Sequence, residues 1–153
     1  MIKRTFLALA LGLPVAAAIG VRAAPMPAAR WHIDPASGAS TGNPNEFRVA
    51  PGGDMEPVRL DRAPLVVATE LDAIALGEPG TEAIAGSLDE GFVTYVQRSR
   101  LIGWPDAISV KVEPDGDGAR LLIWSRSRFG VSDMGVNRAR VERWLDKLGA
   151  SAG

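Results

Sequence analysis

Two similar short sequence motifs, which we call the phrases, contain the residues of this chain that are best suited to binding a ligand. Gln97–Leu101 and Ser125–Phe129 each consist of a polar residue, Arg-Ser-Arg and an apolar residue, and each comes at the end of a predicted strand. Arginine binds phosphates and carboxylates through paired, charge-assisted hydrogen bonds. If one further strand lies between these two in an up-and-down sheet, the phrases lie about 10 Å apart at the same sheet end.

The phrases predict a small anion-binding site, provided that the strand register brings them level. Side chains alternate along a strand, so the arginines are predicted to share one face of the sheet, while Ser99 and Ser127 point to the other. The anion-binding residues of this hypothesis are Arg98, Arg100, Arg126 and Arg128, supported by Gln97, Asp106, Ser125, Ser127 and Asp133.

Structural ion pairs are the alternative explanation of the same arginines. Asp106 and Asp133 lie close to the phrases in sequence and could neutralise two of the four guanidinium groups. Networks of this kind are a commoner cause of clustered charges than ligand sites are. Two carboxylates cannot neutralise four arginines, so a positive surplus remains unless Glu142 or another acid reaches them.

The start of the last predicted helix is a second candidate for anion binding. Free backbone N–H groups at a helix start attract anions, and Asn137 and Arg138 lie there. The alternative is ordinary capping of the helix by Asn137 or Asp133, residue types that are favoured at such positions.

Most other chemistries find no support in the sequence. The chain has no cysteine and a single histidine, His32, so disulfides and thiol nucleophiles are excluded and no metal site is predicted. A serine nucleophile paired with His32 would require the segment around His32 to fold back onto the sheet, and nothing in the spacing suggests this. Asp115–Gly118 lacks the other ligand positions of a calcium loop and predicts a hairpin turn. No cofactor is predicted, and the net charge of -1 gives no indication of nucleic-acid binding.

The amino terminus has the order of an export segment. Lys3 and Arg4 precede an uncharged apolar run, Thr5–Val21, and Arg22 ends it. Residues 1–24 are therefore predicted to be a signal peptide that is cleaved or a signal anchor that stays in the membrane. Both interpretations place the rest of the chain in the cell envelope, on the periplasmic side of the inner membrane.

The remaining sequence divides at about residue 57. Residues 25–57 are rich in Pro, Gly, Ala and Ser with little periodicity, and are predicted to be a tether with irregular loops. Residues 58–150 are predicted to form an α+β domain, with an antiparallel sheet of about four strands and two helices packed on one face. The other face is either solvated or covered by the Gly/Pro-rich segment.

Four blocks of the C-terminal half resemble one known family. The blocks are Thr94–Arg100, Trp104–Asp106, Ser125–Gly130 with Ser132–Asp133, and Gly135–Arg138 before Val141–Trp144. Their order and spacing are similar to those of a bacterial and plastid family called domain of unknown function 1499. Trp31–Pro35 and Asn45–Phe47 are similar to the upstream part of its membrane-tethered members. The family has no assigned activity, so the resemblance implies placement in the envelope and nothing catalytic.

The leading hypothesis is a non-enzymatic envelope protein of unknown function, in contact with the membrane through its N-terminal segment. It binds an anionic small molecule, a lipid headgroup or a protein partner through the arginine-rich end of its sheet. One alternative is a hydrolase, which needs a carboxylate and a hydroxyl within hydrogen-bond reach in an accessible pocket. The other is a structural assembly subunit, which would expose a large apolar patch.

Overall fold

The computed structural model describes residues 20–150 of the 153-residue chain. The predicted export segment at residues 1–24 therefore lies mostly outside the described residues. Between residues 20 and 150, no helix is long and apolar enough to cross a membrane. The elements in chain order are α1 Ala28–Trp31, β1 Glu46–Val49, β2 Val58–Leu60, α2 Pro64–Leu76, β3 Thr81–Ser87, β4 Phe92–Arg98, β5 Pro105–Asp115, β6 Gly118–Ser127 and α3 Val136–Leu148.

A six-stranded antiparallel sheet organises the described residues, in the order β1-β6-β5-β4-β3, with β2 also paired to β6. The predicted class, α+β with an antiparallel sheet, is confirmed, but the sheet has six strands where about four are predicted. The two additional strands, β1 and β2, have only four and three residues. Strands this short show too little alternation to be recognised from sequence.

The two arginine phrases come together at one end of this sheet. Arg98, at the end of β4, lies opposite Pro105 at the start of β5, and β6 ends at Ser127 beside them. We call this end of the sheet the loop end, because residues 99–104 and 128–135 connect the elements there. The up-and-down arrangement predicted for the phrases is confirmed.

Helices α2 and α3 pack on one face of the sheet and enclose the main hydrophobic core. The buried stripe predicted for α3 is present, since Val141 and Trp144 are fully enclosed, and the Trp144 ring meets Tyr95 edge-on at 6.1 Å between centroids. Burying a large apolar side chain stabilises a fold by roughly 2 kcal/mol. Tyr95 donates a hydrogen bond to Asp72 of α2, and burial together with this carboxylate raises the pKa of the Tyr95 hydroxyl well above its usual value.

The N-terminal segment, residues 24–38, covers the opposite face of the sheet. His32 stacks on Phe92 of β4, with ring centroids 3.8 Å apart. Gly38 passes so close to Trp124 of β6 that a Cβ at this position would approach the ring to 2.1 Å, so a glycine is required. Of the two alternatives for this face, the covered one is therefore correct.

Residues 25–57 consequently lie on the sheet rather than apart from it as a tether. They contain α1 and β1, and Trp31 of α1 is buried against the sheet. Isolated residues such as Trp31 and Phe47 make their contacts with the sheet. Because these residues are not regularly spaced, the sequence shows no periodicity that would predict the contacts. His32 Nδ1 lies 2.9 Å from Thr94 Oγ1, but Thr94 is fully buried. The segment does fold back, and it forms packing there rather than an accessible nucleophile.

Candidate functional site

Two loops form the loop end, and a polar side chain fixes each of them. In the first loop, residues 99–104, Ser99 Oγ accepts hydrogen bonds from the backbone N–H groups of Gly103 at 3.1 Å and Trp104 at 3.0 Å. Gly103 has a φ of 82°, which glycine adopts without strain. The serine of the first phrase is therefore a turn residue.

In the second loop, residues 128–135, Asp133 satisfies the backbone at the start of α3. Its Oδ1 accepts from the Gly135 N–H at 3.0 Å and its Oδ2 from the Asn137 N–H at 2.6 Å. Of the two predicted capping residues, Asp133 has this role and Asn137 does not. Helix α3 begins at Val136, so Asn137 falls inside the first turn, where its side chain is fully buried against the sheet.

The second candidate anion site, at the start of α3, is not formed by the residues predicted for it. Asn137 is buried, and Asp133 occupies its N–H group. Arg138 lies over the Phe47 ring, 4.7 Å from its centroid, and forms an ion pair with Glu142 at 3.4 Å. Both residues predicted to hold an anion are thus engaged within the fold.

Three of the four phrase arginines share one face of the sheet, as predicted, and this face is the one under the N-terminal segment. Arg98 Nη2 donates to the Ala24 carbonyl at 2.9 Å, and Arg128 Nη1 lies 3.8 Å from Met26 Sδ. Arg126 also donates to a carbonyl of the segment. Arg100 lies beyond the strand, in the first loop, and is exposed.

Arg126 is enclosed and therefore unsuited to ligand binding. Its guanidinium lies 4.1 Å from the Trp124 ring centroid and 5.7 Å from that of Trp31, and it donates to the Trp31 carbonyl and to Ser109 Oγ. Only 5% of the residue is exposed, and Nη1 has no hydrogen-bond partner. Burial lowers the pKa of Arg126 to about 10, so the group keeps its charge at neutral pH. The prediction of Arg126 as an anion ligand is wrong.

The ion-pair alternative is also wrong for these arginines. Asp106 pairs instead with Arg140 on the helix face at 2.7 Å, and Asp133 binds backbone N–H groups. Within residues 20–150, none of the following forms an ion pair with a carboxylate: Arg22, Arg98, Arg100, Arg126 and Arg128. The positive charge of these arginines at the loop end is therefore not neutralised by Asp106 or Asp133.

Arg140 is not among the predicted site residues, yet most of the predicted supporting residues lie around it on the helix face. It is 4% exposed, pairs with Asp106 and donates to Gln97 Oε1 at 2.6 Å. It also donates to Ser125 Oγ at 2.8 Å and to Asn137 Oδ1 at 2.7 Å, and Asn137 Nδ2 donates to Ser127 Oγ at 3.0 Å. We call this group the Arg140 cluster; it consists of Gln97, Asp106, Ser125, Ser127, Asn137 and Arg140.

The Arg140 cluster is a satisfied structural network. The Arg140 charge has a carboxylate and three further acceptors, as a buried guanidinium requires. Its signal in the sequence is the spacing of Asn137, Arg140, Val141 and Trp144, which places both polar residues on the buried stripe of α3. Residues predicted to support an anion site thus support a helix–sheet contact on the opposite face.

Three arginines without carboxylate partners line a cavity of about 500 Å³ beside the first loop. We call it the arginine cleft; its lining residues are Arg22, Gly80, Thr81, Glu82, Arg98, Ser99 and Arg100. Arg22 Nη1 donates to the Leu101 carbonyl at 3.3 Å, and Arg98 Nη1 is buried without a hydrogen-bond partner within the described chain. Arg22 and Thr81 are absent from the predicted site, although the position of Arg22 at the end of the apolar run sets it apart in the sequence.

A second cavity, of about 360 Å³, lies between the two loops. We call it the apolar cavity; its lining residues are Ser99, Trp104, Pro105, Asp106, Ser127, Phe129, Gly130, Ser132, Asp133, Met134 and Val136. Trp104 and Phe129 meet edge-on across it at 5.7 Å between centroids. Asp106 and Asp133 are already neutralised by Arg140 and by the start of α3, so an uncharged, apolar group fits best.

The two cavities give no direct support to hydrolysis or metal chemistry. Within residues 20–150, no hydroxyl that lines the apolar cavity is hydrogen-bonded to a carboxylate, since Ser99 and Ser132 accept from backbone N–H groups and Ser127 from Asn137. The same residues contain no group of three or more His, Cys, Asp or Glu side chains that could hold a metal ion. The hydrolase alternative remains a prediction without a supporting pair of residues.

Comparison with known proteins gives a family match without an activity. Residues 38–148 match the family described as "Protein of unknown function (DUF1499)". No curated protein matches the chain. A solved structure titled "Crystal structure of Ara h 8.0201" is similar with a TM-score of 0.48 and 11% identity, over 69% of this chain and 93% of the other.

Proposed function

This chain belongs to the DUF1499 family, whose description assigns no activity, and we propose from the geometry that it is a non-enzymatic protein that binds an anion in the arginine cleft. The ligand carries a phosphate or a carboxylate, since these groups match the planar fork of a guanidinium. A lipid headgroup and a small soluble anion share this chemistry. In this proposal the domain lies on the periplasmic side of the inner membrane.

The observation that carries the proposal is an excess of unpaired positive charge at an accessible place. Arg22, Arg98 and Arg100 line the cleft, and Glu82 is the one acid among its lining residues. None of these arginines forms an ion pair within the described chain. A cleft lined by one sign of charge raises the local concentration of ligands of opposite charge.

The cleft is also partly organised before a ligand arrives. Arg98 and Arg22 are oriented by the backbone carbonyls of Ala24 and Leu101, so less side-chain freedom is lost on binding. Thr81 Oγ1 accepts a hydrogen bond from Gln97, and Ser99 Oγ accepts from two N–H groups. Both hydroxyls therefore keep their hydrogen to donate to an anion.

The order of charges at the amino terminus supports the envelope placement. Lys3 and Arg4 outweigh Arg22 on the other side of the apolar run. The positive-inside rule then keeps the amino terminus in the cytoplasm and the domain outside. In this arrangement Arg22, which lines the cleft, lies where the chain leaves the membrane.

Binding of inorganic phosphate to the full chain in non-ionic detergent micelles tests the anion site. We expect Arg22→Gln/Arg100→Gln to weaken binding about tenfold or more, because two charged hydrogen-bond donors are lost. The matched control is Arg59→Gln/Arg120→Gln, which removes the same charge from exposed, ion-paired arginines near the β5–β6 hairpin. Equal affinity of the two double variants would refute the proposal.

A second titration separates the two sources of the ligand. Here phosphatidylglycerol is mixed into the micelles in place of free phosphate, with phosphatidylcholine as the comparison. A lipid headgroup ligand gives tighter binding to phosphatidylglycerol than to free phosphate, and the Arg22→Gln/Arg100→Gln chain loses that gain. A soluble anion gives saturable phosphate binding that phosphatidylglycerol does not surpass.

A further inference from the structure

The exposed apolar side chains of the described chain concentrate on the two loops of the loop end. Leu101 is 92% exposed, Met134 95% and Val131 73%, and no other large apolar residue between 20 and 150 is as exposed as these three. Ile102 and Trp104, on the first loop, are 42% and 41% exposed. We call Leu101, Ile102, Trp104, Val131 and Met134 the loop-end patch.

The fold holds this patch in a fixed shape. Ser99 ties the first loop through its two hydrogen bonds to the backbone of Gly103 and Trp104. Asp133 ties the second loop, and Met134 beside it has a φ of 54°, a conformation that is rare for a residue with a bulky side chain. Backbone strain of this kind collects at binding sites, where the surrounding structure maintains it. Here it projects an apolar side chain into solvent.

The patch adjoins the point where the N-terminal apolar run ends. The uncharged stretch Thr5–Val21 is followed directly by Arg22, and Arg22 donates a hydrogen bond to the carbonyl of Leu101. The Arg22 side chain also packs on Gly103, where an added Cβ would approach it to 2.7 Å. A bilayer that contains the apolar run therefore has its surface beside the first loop.

We propose that the loop-end patch docks on the surface of a lipid bilayer, with Leu101 and Met134 inserted among the lipids. The composition of this end fits that occupant. Trp104 belongs to the residue types that favour the membrane interface, and arginines surround the patch at Arg22, Arg100 and Arg128, where they meet anionic headgroups. Docking removes from water the side chains that the fold leaves most exposed.

The docked orientation also determines which end of the sheet points away from the membrane. The loop end faces the membrane, and β5, with 11 residues, extends roughly 35 Å from it toward the β5–β6 hairpin. The hairpin residue Asp117 then lies far from the lipids. The proposal shares the membrane tether with the proposed function but does not depend on the anion site.

Single cysteines test the docking in the full chain, which has no cysteine of its own. Leu101→Cys and Met134→Cys, with Asp117→Cys as the control, each receive an environment-sensitive fluorophore, and the labelled chains are reconstituted into phosphatidylcholine vesicles that contain a lipid-borne quencher. The first two positions are almost fully exposed, so labels there do not disturb packing. We expect most of the fluorescence at 101 and 134 to be lost and that at 117 to be kept.

Each other outcome overturns the docking proposal. Equal quenching at all three positions means that the patch has no preferred orientation, and a chain that stays out of the vesicle fraction has no bilayer contact. A label at 101 that is shielded from a water-soluble quencher but not reached by the lipid-borne one indicates a protein interface. Titrating the same labelled chains with inorganic phosphate separates the two proposals, because the quenching in phosphatidylcholine vesicles requires no bound anion and either result can fail while the other stands.

Discussion

Each face of the sheet buries one arginine near the loop end, and the two arginines differ in whether a carboxylate neutralises their charge. On the helix face, Arg140 is 4% exposed and has Asp106 as an ion-pair partner, with neutral acceptors around it. On the other face, Arg126 is 5% exposed and has a carbonyl, a hydroxyl and two tryptophan rings. No carboxylate forms an ion pair with it within the described chain.

The difference distinguishes arginines whose charge is paired within the fold from arginines whose charge is left for a ligand. On the helix face, ion pairs join Arg140 of α3 to Asp106 of β5 and Arg143 of α3 to Glu78. The other face keeps a positive surplus that continues from Arg126 through Arg98 to the exposed Arg100. Burial alone therefore does not identify a functional arginine, whereas an accessible arginine without a carboxylate partner is a candidate. On this criterion the arginine cleft is a candidate site and the Arg140 cluster is not.

Substituting methionine for each of the two buried arginines should give the largest change in stability, and the two changes should differ. We expect Arg140→Met to lower the free energy of unfolding by about 3–5 kcal/mol, because Asp106 stays buried without its partner. Arg126→Met should cost only about 1–2 kcal/mol, because it leaves neutral acceptors behind and removes a charge that burial already disfavours. Urea denaturation of the two variants measures both values. Equal losses would mean that the faces do not differ.

A substitution within the N-terminal segment tests how firmly that segment covers its face of the sheet. Gly38→Ala places a methyl group against the Trp124 ring, where a Cβ approaches to 2.1 Å. We expect a loss of about 2 kcal/mol, typical of overpacking, together with faster proteolysis of residues 24–45. Ser37→Ala, one residue earlier and exposed, should stay within about 0.5 kcal/mol of the parent. An unchanged proteolysis rate in Gly38→Ala would show that the segment is not held there.

Glu78 supplies a pH-dependent test of the neutralised helix face. Arg143 donates two hydrogen bonds to this carboxylate, and these bonds hold the pKa of Glu78 well below its ordinary value of 4.5 despite the opposing effect of burial. The folded chain therefore binds the Glu78 proton less readily than the unfolded chain. The stabilisation is fully present above pH 4.5 and is lost progressively as the pH falls below it.

Glu78→Gln should remove this stabilisation, with a cost of roughly 2 kcal/mol at pH 7. The stability difference between parent and variant should shrink as the pH is lowered from 5 toward 2, and thermal denaturation over that range measures it. Asp89→Asn, at an exposed turn, serves as the control that changes charge without a buried partner. A difference that stays constant with pH would contradict the ionised, hydrogen-bonded state of Glu78.

The fold could be predicted where a repeating pattern exists. The alternation of Ile108, Val110 and Val112 and the stripe of α3 identify β5 and the last helix. Strands β1 and β2 are too short to show a pattern, and the N-terminal segment binds through isolated residues. The arginine site could be predicted only in part. The phrases bring Arg98 and Arg100 to the loop end, where both line the arginine cleft. The carbonyls that Arg98 and Arg126 bind belong to the backbone, which carries no sequence signal.

Mapping of phosphate binding on the full chain in detergent micelles tests the arginine cleft most directly. The measurement follows the backbone amide signals of the ¹⁵N-labelled protein as inorganic phosphate is added at low salt. We expect saturable shifts at Gly80, Thr81 and Ser99, which line the cleft, and none at the β5–β6 hairpin. Shifts of equal size at the hairpin, or none in the cleft, would contradict the assignment of the unpaired arginines to ligand binding.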